Sequence, residues 1–466
     1  MEGMPVALVL KGGRVVNADG MFEADVRIEG ERIVAVGLGI AREGDELRNV
    51  SGKLVMPGGV DVHTHFDLPL ADGTRTADSF YTGTRAAVAG GTTCIVDYAT
   101  QFAGETLGQG LSNWHELAAG NCWCDYSFHL AITDWQADLV ADLPEIVASG
   151  VTSFKMYMAY KGSLQLGDDS IYEALRIFRR LGALLCVHCE NGDLIAARCN
   201  ELIAAGRTEP RYHPLSRPEE LETEAVSRLL VTASLAQAPV YVVHVSAGRS
   251  LEKIVQAKMT GKRVFAETCP QYLYLDDSLY DHDWECAKYV CSPPLRDRCN
   301  QWALWSSLAA NLTDVVATDH CSFNLAVQKE RGRDDFTKIP SGMPGVENRM
   351  LLLYRGVVDG WITAPQMVRV GCASPAKIFG LYPRKGLVAP GSDADILVLD
   401  PEGRTTIRAA KQYQNVDYTP FEGFDVPAAV DSVYLRGQLI CRNSEMVVGR
   451  PGGRFRPRGK SGTEGV

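Results

Sequence analysis

Hydrophobic positions change their period along the chain. Between Ala7 and Val36 they form short β-rich runs, Ala7 to Leu10, Arg14 to Val16, Ala24 to Ile28 and Arg32 to Val36. Gly12-Gly13, Asp19-Gly20 and Gly30-Glu31 stand between these runs as turn signals, so the pattern predicts a small antiparallel meander. The same texture returns at Asp395 to Leu399, Thr405 to Arg408 and Ser432 to Leu435, and Gly437 turns the last run into Gln438 to Cys441. Neither end is long enough to bury a core alone. The two are therefore expected to pack together as a small β-sandwich, with the middle of the chain inserted between them.

The middle alternates in a different way. Apolar strands near Val60, Cys94, Phe128, Phe154, Leu185, Val242, Phe265 and Val316 are separated by helical stretches, among them Ser79 to Ala89, Ile171 to Leu181, Glu219 to Gln237 and Ser250 to Met259. Eight β/α alternations predict an α/β architecture, a (β/α)8 TIM barrel. A doubly wound open sheet is the competing arrangement, but no G-x-G-x-x-G follows an early strand to support it. The expected division is 1–56 and 386–448 for the two parts of the sandwich, 57–385 for the barrel and 449–466 for a C-terminal tail. That tail is rich in Gly, Arg and Pro without an apolar period. It is expected to be disordered or to lie as an arm on a neighbouring subunit.

Composition narrows the function. A net charge of −10 and a pI near 5.5 exclude nucleic acid as a natural partner. The 46% hydrophobic and 22% charged residues are those of a soluble globular enzyme. The longest apolar runs, such as Leu184 to Val187 and Val240 to Val243, have strand length, so no membrane partner is expected. Met1-Glu2-Gly3-Met4-Pro5 lacks a basic n-region, and the cytoplasm is the expected location. The 13 cysteines show no disulfide framework and read as reduced, buried residues. Cys186-Val187-His188-Cys189 has C-x-x-C spacing, which an alternating strand end explains as well as a redox or zinc pair does.

The candidate chemistry lies at strand ends. In Val60-Asp61-Val62-His63-Thr64-His65 the two histidines are two apart and so face one side of a strand. Two neutral imidazoles on one face suit a borderline metal such as zinc. The pattern repeats: Leu184 to His188 and Tyr241 to His244 each end in histidine, and Val315 to Asp319 ends in a carboxylate. Of the nine histidines, four close three apolar strands of one barrel, where barrel active sites are built. His115, His213 and His282 read as structural, and His129 and His320 take no role from the sequence. The fourth strand ends Val151-Thr152-Ser153-Phe154-Lys155. Burial and nearby cations favour a neutral amine there, which can add carbon dioxide to become a carbamate. An ordinary anion-binding lysine is the alternative.

Taken in order, His63-Thr64-His65, Lys155, His188, His244 and Asp319 resemble the amidohydrolase superfamily in its cyclic-amidase branch. Ser153 to Tyr160, Glu267 to Leu273, Cys291-Ser292-Pro293-Pro294-Leu295-Arg296 and Ala317 to Cys321 are similar to the hydantoinases and dihydropyrimidinases, the phenylhydantoinase type included. The resemblance runs from about residue 7 to residue 448. It implies two divalent ions, most simply Zn2+, bridged by an N6-carboxylated Lys155 and by a hydroxide. His63, His65, Lys155 and Asp319 would hold one ion, and His188, His244 and Lys155 the other. Asp319 would move the proton, Tyr160 would bond the carbonyl oxygen as it gains charge, and the backbone at Ser292 and Ser341 would hold the imide edge of a small cyclic amide. The assembly implied is a homotetramer or homodimer.

One departure is Pro340-Ser341-Gly342, where the family has Pro-Asn-Gly. Dihydroorotases, a rival reading, carry an arginine two residues after the second histidine; here Asp67 stands in that place and would repel an acidic substrate. Allantoinase fits the Lys155 to Tyr160 stretch less well, and a non-catalytic scaffold of the same fold has no need of a complete metal set. Leu68, Leu70, Tyr98, Phe102 and Tyr157 are candidates for lining a pocket for the ring substituent.

Overall fold

The computed structural model describes residues 7–70 and 73–461. Eight parallel strands follow one another in chain order: β1 (Gly59–Thr64), β2 (Thr92–Thr100), β3 (Asp125–Ala131), β4 (Ser153–Tyr157), β5 (Leu184–His188), β6 (Val240–Val242), β7 (Val264–Thr268) and β8 (Val315–Val316). The ring closes just beyond β1 and β8, where Thr64 pairs in parallel with His320. There the His65 amide donates to the His320 carbonyl at 2.9 Å and the His320 amide to the His63 carbonyl at 3.3 Å. All eight strands lie where the apolar alternation predicts them.

Residues two apart in a strand share a face, and the barrel uses this. Cys94 and Val96, Leu184 and Cys186, Tyr241 and Val243, and Val315 and Ala317 pack into one core. Ile95, Phe154, Met156, Leu185, Val187 and Val242, on the alternate positions, join a larger core with the helices. Tyr98 and His188 are the next positions along two of the inner rows, so the same alternation that fills the barrel delivers polar side chains to its carboxyl end.

Helix signals act locally as expected. Ser79 caps helix Phe80–Ala89 in a capping box with Thr82. Helix Asp168–Leu181 opens on Asp168 and Asp169 and closes on Arg179, Arg180 and a left-handed Gly182.

The two chain ends share one sheet of nine strands. Leu54–Pro57 pairs antiparallel with Ile396–Asp400, and this seam joins the N-terminal strands to the C-terminal ones. The arrangement is that of a small β-sandwich domain with its own apolar core of Leu10, Val15, Val26, Val55, Ile396 and Val398 among others. Two details differ from the sequence pattern. Gly12-Gly13 is not a turn but a bulge inside one strand, Leu8–Asn17, because Gly12 at φ 79° absorbs the extra residues and its amide bonds Asp25 at 2.8 Å. The sheet is also not wholly antiparallel, since Leu8–Asn17 pairs in parallel with Glu46–Asn49 and Leu54–Pro57.

The described part of the C-terminal tail, up to residue 461, is ordered on the chain's own barrel rather than disordered. Phe455 pairs in parallel with Tyr126 beside β3 and sets its ring 4.6 Å from His115 and 5.8 Å from Phe128. Arg456 Nε reaches Asp125 at 2.6 Å, and Arg458, 5% exposed, donates to Ser127 Oγ at 2.9 Å and to the Phe128 carbonyl. The tail lacks an apolar period because its partners are a buried carboxylate and backbone carbonyls, which only the folded barrel presents.

Candidate metal centre

The strand ends bring the predicted ligands together. His63 Nε2 lies 3.1 Å and His65 Nε2 3.3 Å from Asp319 Oδ1. His188 Nδ1 faces His244 Nε2 at 2.9 Å, and the rings of His63 and His244 are 5.5 Å apart, so the two groups are neighbours. Lys155 is 1% exposed, with Nζ 4.5 Å from the centre of the Tyr98 ring and 5.2 Å from that of Tyr157. Burial pulls the Lys155 amine below its ordinary pKa against the opposing pull of Asp319 and Glu267.

The outer nitrogens decide which lone pairs face inward. Glu267 Oε1 takes His63 Nδ1 at 2.6 Å and the His244 amide at 3.0 Å, while Oε2 accepts the Tyr241 hydroxyl at 2.8 Å. That leaves His63 Nε2 buried without an aligned hydrogen bond. Glu190 likewise takes His188 Nε2 at 2.8 Å, is held by Arg217 at 2.6 Å, and leaves His188 Nδ1 pointing at His244. Two imidazole nitrogens face to face need a shared proton or a cation between them. A carboxylate behind a histidine, fixing its tautomer with the other nitrogen free, is the support that metal-ligating histidines use. The donor set of four imidazoles, one carboxylate and one amine fits divalent ions on these grounds.

Electrostatics agree. Burial lowers His65 to about 4 and pushes His188 and His244 down as well, so these rings are neutral donors. Burial would lower His63 too, but Asp319 and Glu267 outweigh it and raise it to about 9, the mark of a site with excess negative charge. Burial would raise Asp319, yet His63 and its other neighbours hold it well below the carboxylate range. His244, Asp319 and Tyr160 sit at φ 38°, 50° and 70°, left-handed conformations that non-glycine residues adopt at a cost and that cluster at functional sites.

The remaining predicted residues border this cluster. The Tyr160 ring is 5.0 Å from His188 and lies under Arg217; burial pushes its phenol above the ordinary pKa, while Arg217 and the Ser292 hydroxyl pull the other way. Ser292 is 7% exposed and Ser341 half-buried, and the Gly342 amide ties their two segments by donating to the Val290 carbonyl at 3.0 Å. Asp67 turns aside, its carboxylate accepting the Phe80 amide at 2.8 Å at the start of the following helix. Phe102 rests on Trp114, and both Phe102 and Leu68 pack against the outer core. Tyr98 is sandwiched between His65 and His129 at 5.3 and 4.5 Å, as a wall of the ligand cluster.

Two histidines left without a role acquire one. His129 bonds Ser153 Oγ at 2.6 Å and the Val62 carbonyl at 3.0 Å, fixing three strands together. His320 bonds Asp78 at 3.0 Å through Nε2 and accepts the Gly345 and Val346 amides on Nδ1. Glu267 and Glu190 were missed as functional residues. Both end or follow an apolar run in an acid, the signal read at Asp319, but their role shows only against His63 and His188. All 13 cysteines are free thiols, Cys186 and Cys189 among them.

A parallel barrel with this donor cluster at the carboxyl ends of its strands is the architecture of a metal-dependent hydrolase. The chain belongs to the amidohydrolase family, whose model matches residues 54–440. Within that family it groups with the hydantoinases and dihydropyrimidinases. It is 45% identical to a D-hydantoinase of Streptomyces coelicolor over 456 residues, 97% of each chain. It is 43% identical to a D-phenylhydantoinase of Escherichia coli over 438 residues, 93% of this chain and 94% of that one. The crystal structure of a dihydropyrimidinase from Brevibacillus agri superposes with a TM-score of 0.96 at 43% identity, covering 98% of this chain and 99% of that one.

Proposed function

We propose that this protein hydrolyses a hydantoin or 5,6-dihydropyrimidine ring at a carbonyl carbon and releases an N-carbamoyl amino acid. The observation that carries this reading is the convergence of His63, His65 and Asp319, whose ligand atoms lie within 4.8 Å of one another, with the His188–His244 pair beside them. In this reading His63, His65 and Asp319 would hold one divalent ion, most simply zinc, and His188 and His244 a second, with Lys155, as a carbamate, the anionic ligand that offsets their charge. Such ions, when bound, supply hydroxide at neutral pH and polarise the scissile carbonyl.

The chain's own groups do the rest. Tyr160 keeps its proton, because burial raises its pKa, and donates a hydrogen bond to the carbonyl oxygen as negative charge grows there. One well-placed donor of this kind contributes ~3 kcal/mol. Asp319, held ionised before the reaction by His63 and its other neighbours, takes the proton of the attacking water and, once protonated, returns it to the leaving ring nitrogen. The backbone at Ser292 and Ser341 holds the imide edge; a backbone contact tolerates serine where the family resemblance leads one to expect asparagine.

We further propose a cytoplasmic homotetramer, with the sandwich and barrel divided near residues 56 and 385. No helix among the described residues is long and apolar enough to cross a membrane. A rate panel of dihydrouracil, hydantoin, both enantiomers of 5-phenylhydantoin, allantoin and dihydroorotate tests the activity, alongside elemental analysis and light scattering. Turnover confined to allantoin or dihydroorotate, or full activity with far less than two metal equivalents, overturns this reading.

A further inference from the structure

Lys329 is 0% exposed, and no carboxylate pairs with it among the described residues. Its Nζ donates to the Val290 carbonyl at 3.0 Å and to the Pro340 carbonyl at 3.2 Å. Its titratable neighbours are the thiols of Cys291 and Cys321, which burial keeps protonated, and burial pulls the amine's own pKa down to about 7. Burying an amine this deeply without a counter-ion is costly, so its place calls for an explanation.

The explanation is what the two carbonyls belong to. Val290 lies two residues before Ser292, and Pro340 immediately precedes Ser341. Lys329 therefore spans the two backbone segments assigned above to the imide edge of the ring. The same junction is closed by the Gly342 amide on the Val290 carbonyl at 3.0 Å, and the Ser292 side is held from behind by His213, whose Nε2 bonds the Cys291 carbonyl at 2.8 Å. His213 is buried, and burial lowers it to about 3, so it acts as a neutral donor. Lys329 itself is anchored by its amide on the Asn324 carbonyl at 3.0 Å, in a turn where Gln328 Oε1 accepts the Asn324 amide at 2.8 Å.

We infer that Lys329 is a positioning residue for substrate specificity: it clamps the Ser292 and Ser341 segments at the spacing of a cyclic imide edge. The inference rests on the substrate contacts of the proposed function. It touches neither the ligand cluster nor the reacting carbonyl, so it separates ring recognition from metal chemistry. Lys329→Met keeps an unbranched side chain one atom shorter and removes both bonds. Lys329→Gln keeps one donor.

The test uses the metal-loaded enzyme, with hydantoin and 3-methylhydantoin as substrates and acetohydroxamate as a metal-directed inhibitor. The expected result for Lys329→Met is a KM for hydantoin about tenfold higher, kcat within about threefold, and loss of discrimination against the methylated imide, a shift worth about 1.4 kcal/mol. Metal content and the acetohydroxamate inhibition constant stay at the wild-type values. Lys329→Gln falls between the two and carries the comparison if the Met variant does not fold. Unchanged hydantoin KM and unchanged discrimination in both variants overturn the clamp. An equal loss of acetohydroxamate affinity also overturns it, as a general collapse of the site. Wild-type enzyme that does not distinguish hydantoin from 3-methylhydantoin overturns the substrate contacts themselves, a separate and recognisable failure.

Discussion

Replacing Glu267 by Gln removes one charge from behind the ligand cluster while nearly preserving its shape. The glutamine oxygen can occupy the place of Oε1 and keep the bonds from His63 Nδ1 at 2.6 Å and from the His244 amide at 3.0 Å. The amide nitrogen cannot accept from Tyr241, whose hydroxyl must turn to become the acceptor. The loss is therefore chiefly electrostatic: His63 becomes a less basic ligand. Supporting groups of this kind are worth about 10- to 100-fold in metal affinity, or ~1.4–2.8 kcal/mol. Glu267→Ala differs, because it strands three buried donors at ~1–3 kcal/mol each and costs stability even without metal. The assay is chelator competition followed by elemental analysis, with melting curves of the metal-free forms. The Gln variant is expected to release metal at clearly lower chelator concentration yet melt close to wild type when metal-free; the Ala variant melts earlier in both states. A Gln variant that retains metal as tightly as wild type would refute the claim that the charge of Glu267 strengthens His63 as a ligand.

Lys155→Ala is expected to lose metal together with activity and to regain part of both with added short carboxylic acids, read by elemental analysis; full metal retention without them contradicts the bridging role. The Asp125 carboxylate, buried against Lys385, Arg436 and Arg456, is held down to about 2 despite burial, whereas burial pushes Asp395, which has the Lys385 amine and the Arg436 amide but no guanidinium, upward. A carboxylate depressed in the folded state adds stability above its unfolded pKa and loses it as pH falls towards the folded one. Some ~2 kcal/mol should thus disappear between about pH 4 and pH 2, measured by urea midpoints, and Arg456→Met should flatten that slope. Truncation after Val448 should lower the urea midpoint at neutral pH, since it removes Arg456 from Asp125 and the Arg458 donor from the Phe128 carbonyl at ~1–3 kcal/mol per group; an unchanged midpoint would mean the tail is not seated on its own barrel.

What the sequence determined by itself is periodic and local. Alternation at Cys94–Val96 and Leu184–Cys186 marks buried strands, Ser79 and Gly182 mark helix ends, and histidine or aspartate at the end of an apolar run marks a candidate ligand, because each signal depends on neighbours in the chain. The seam between Leu54–Pro57 and Ile396–Asp400 was legible only as two halves in need of each other. The tertiary structure alone decided which lone pairs face the centre, since that depends on Glu267 and Glu190 meeting His63 and His188 across strands. It alone decided that Asp67 serves a helix N-terminus, that Gly12 makes a bulge, and that the arginines of the tail pair with Asp125 and carbonyls at the barrel. The physical reason is common to all of these. Hydrogen bonds and ion pairs between distant segments have no period in sequence, and their strength comes from a burial that exists only once the chain has folded.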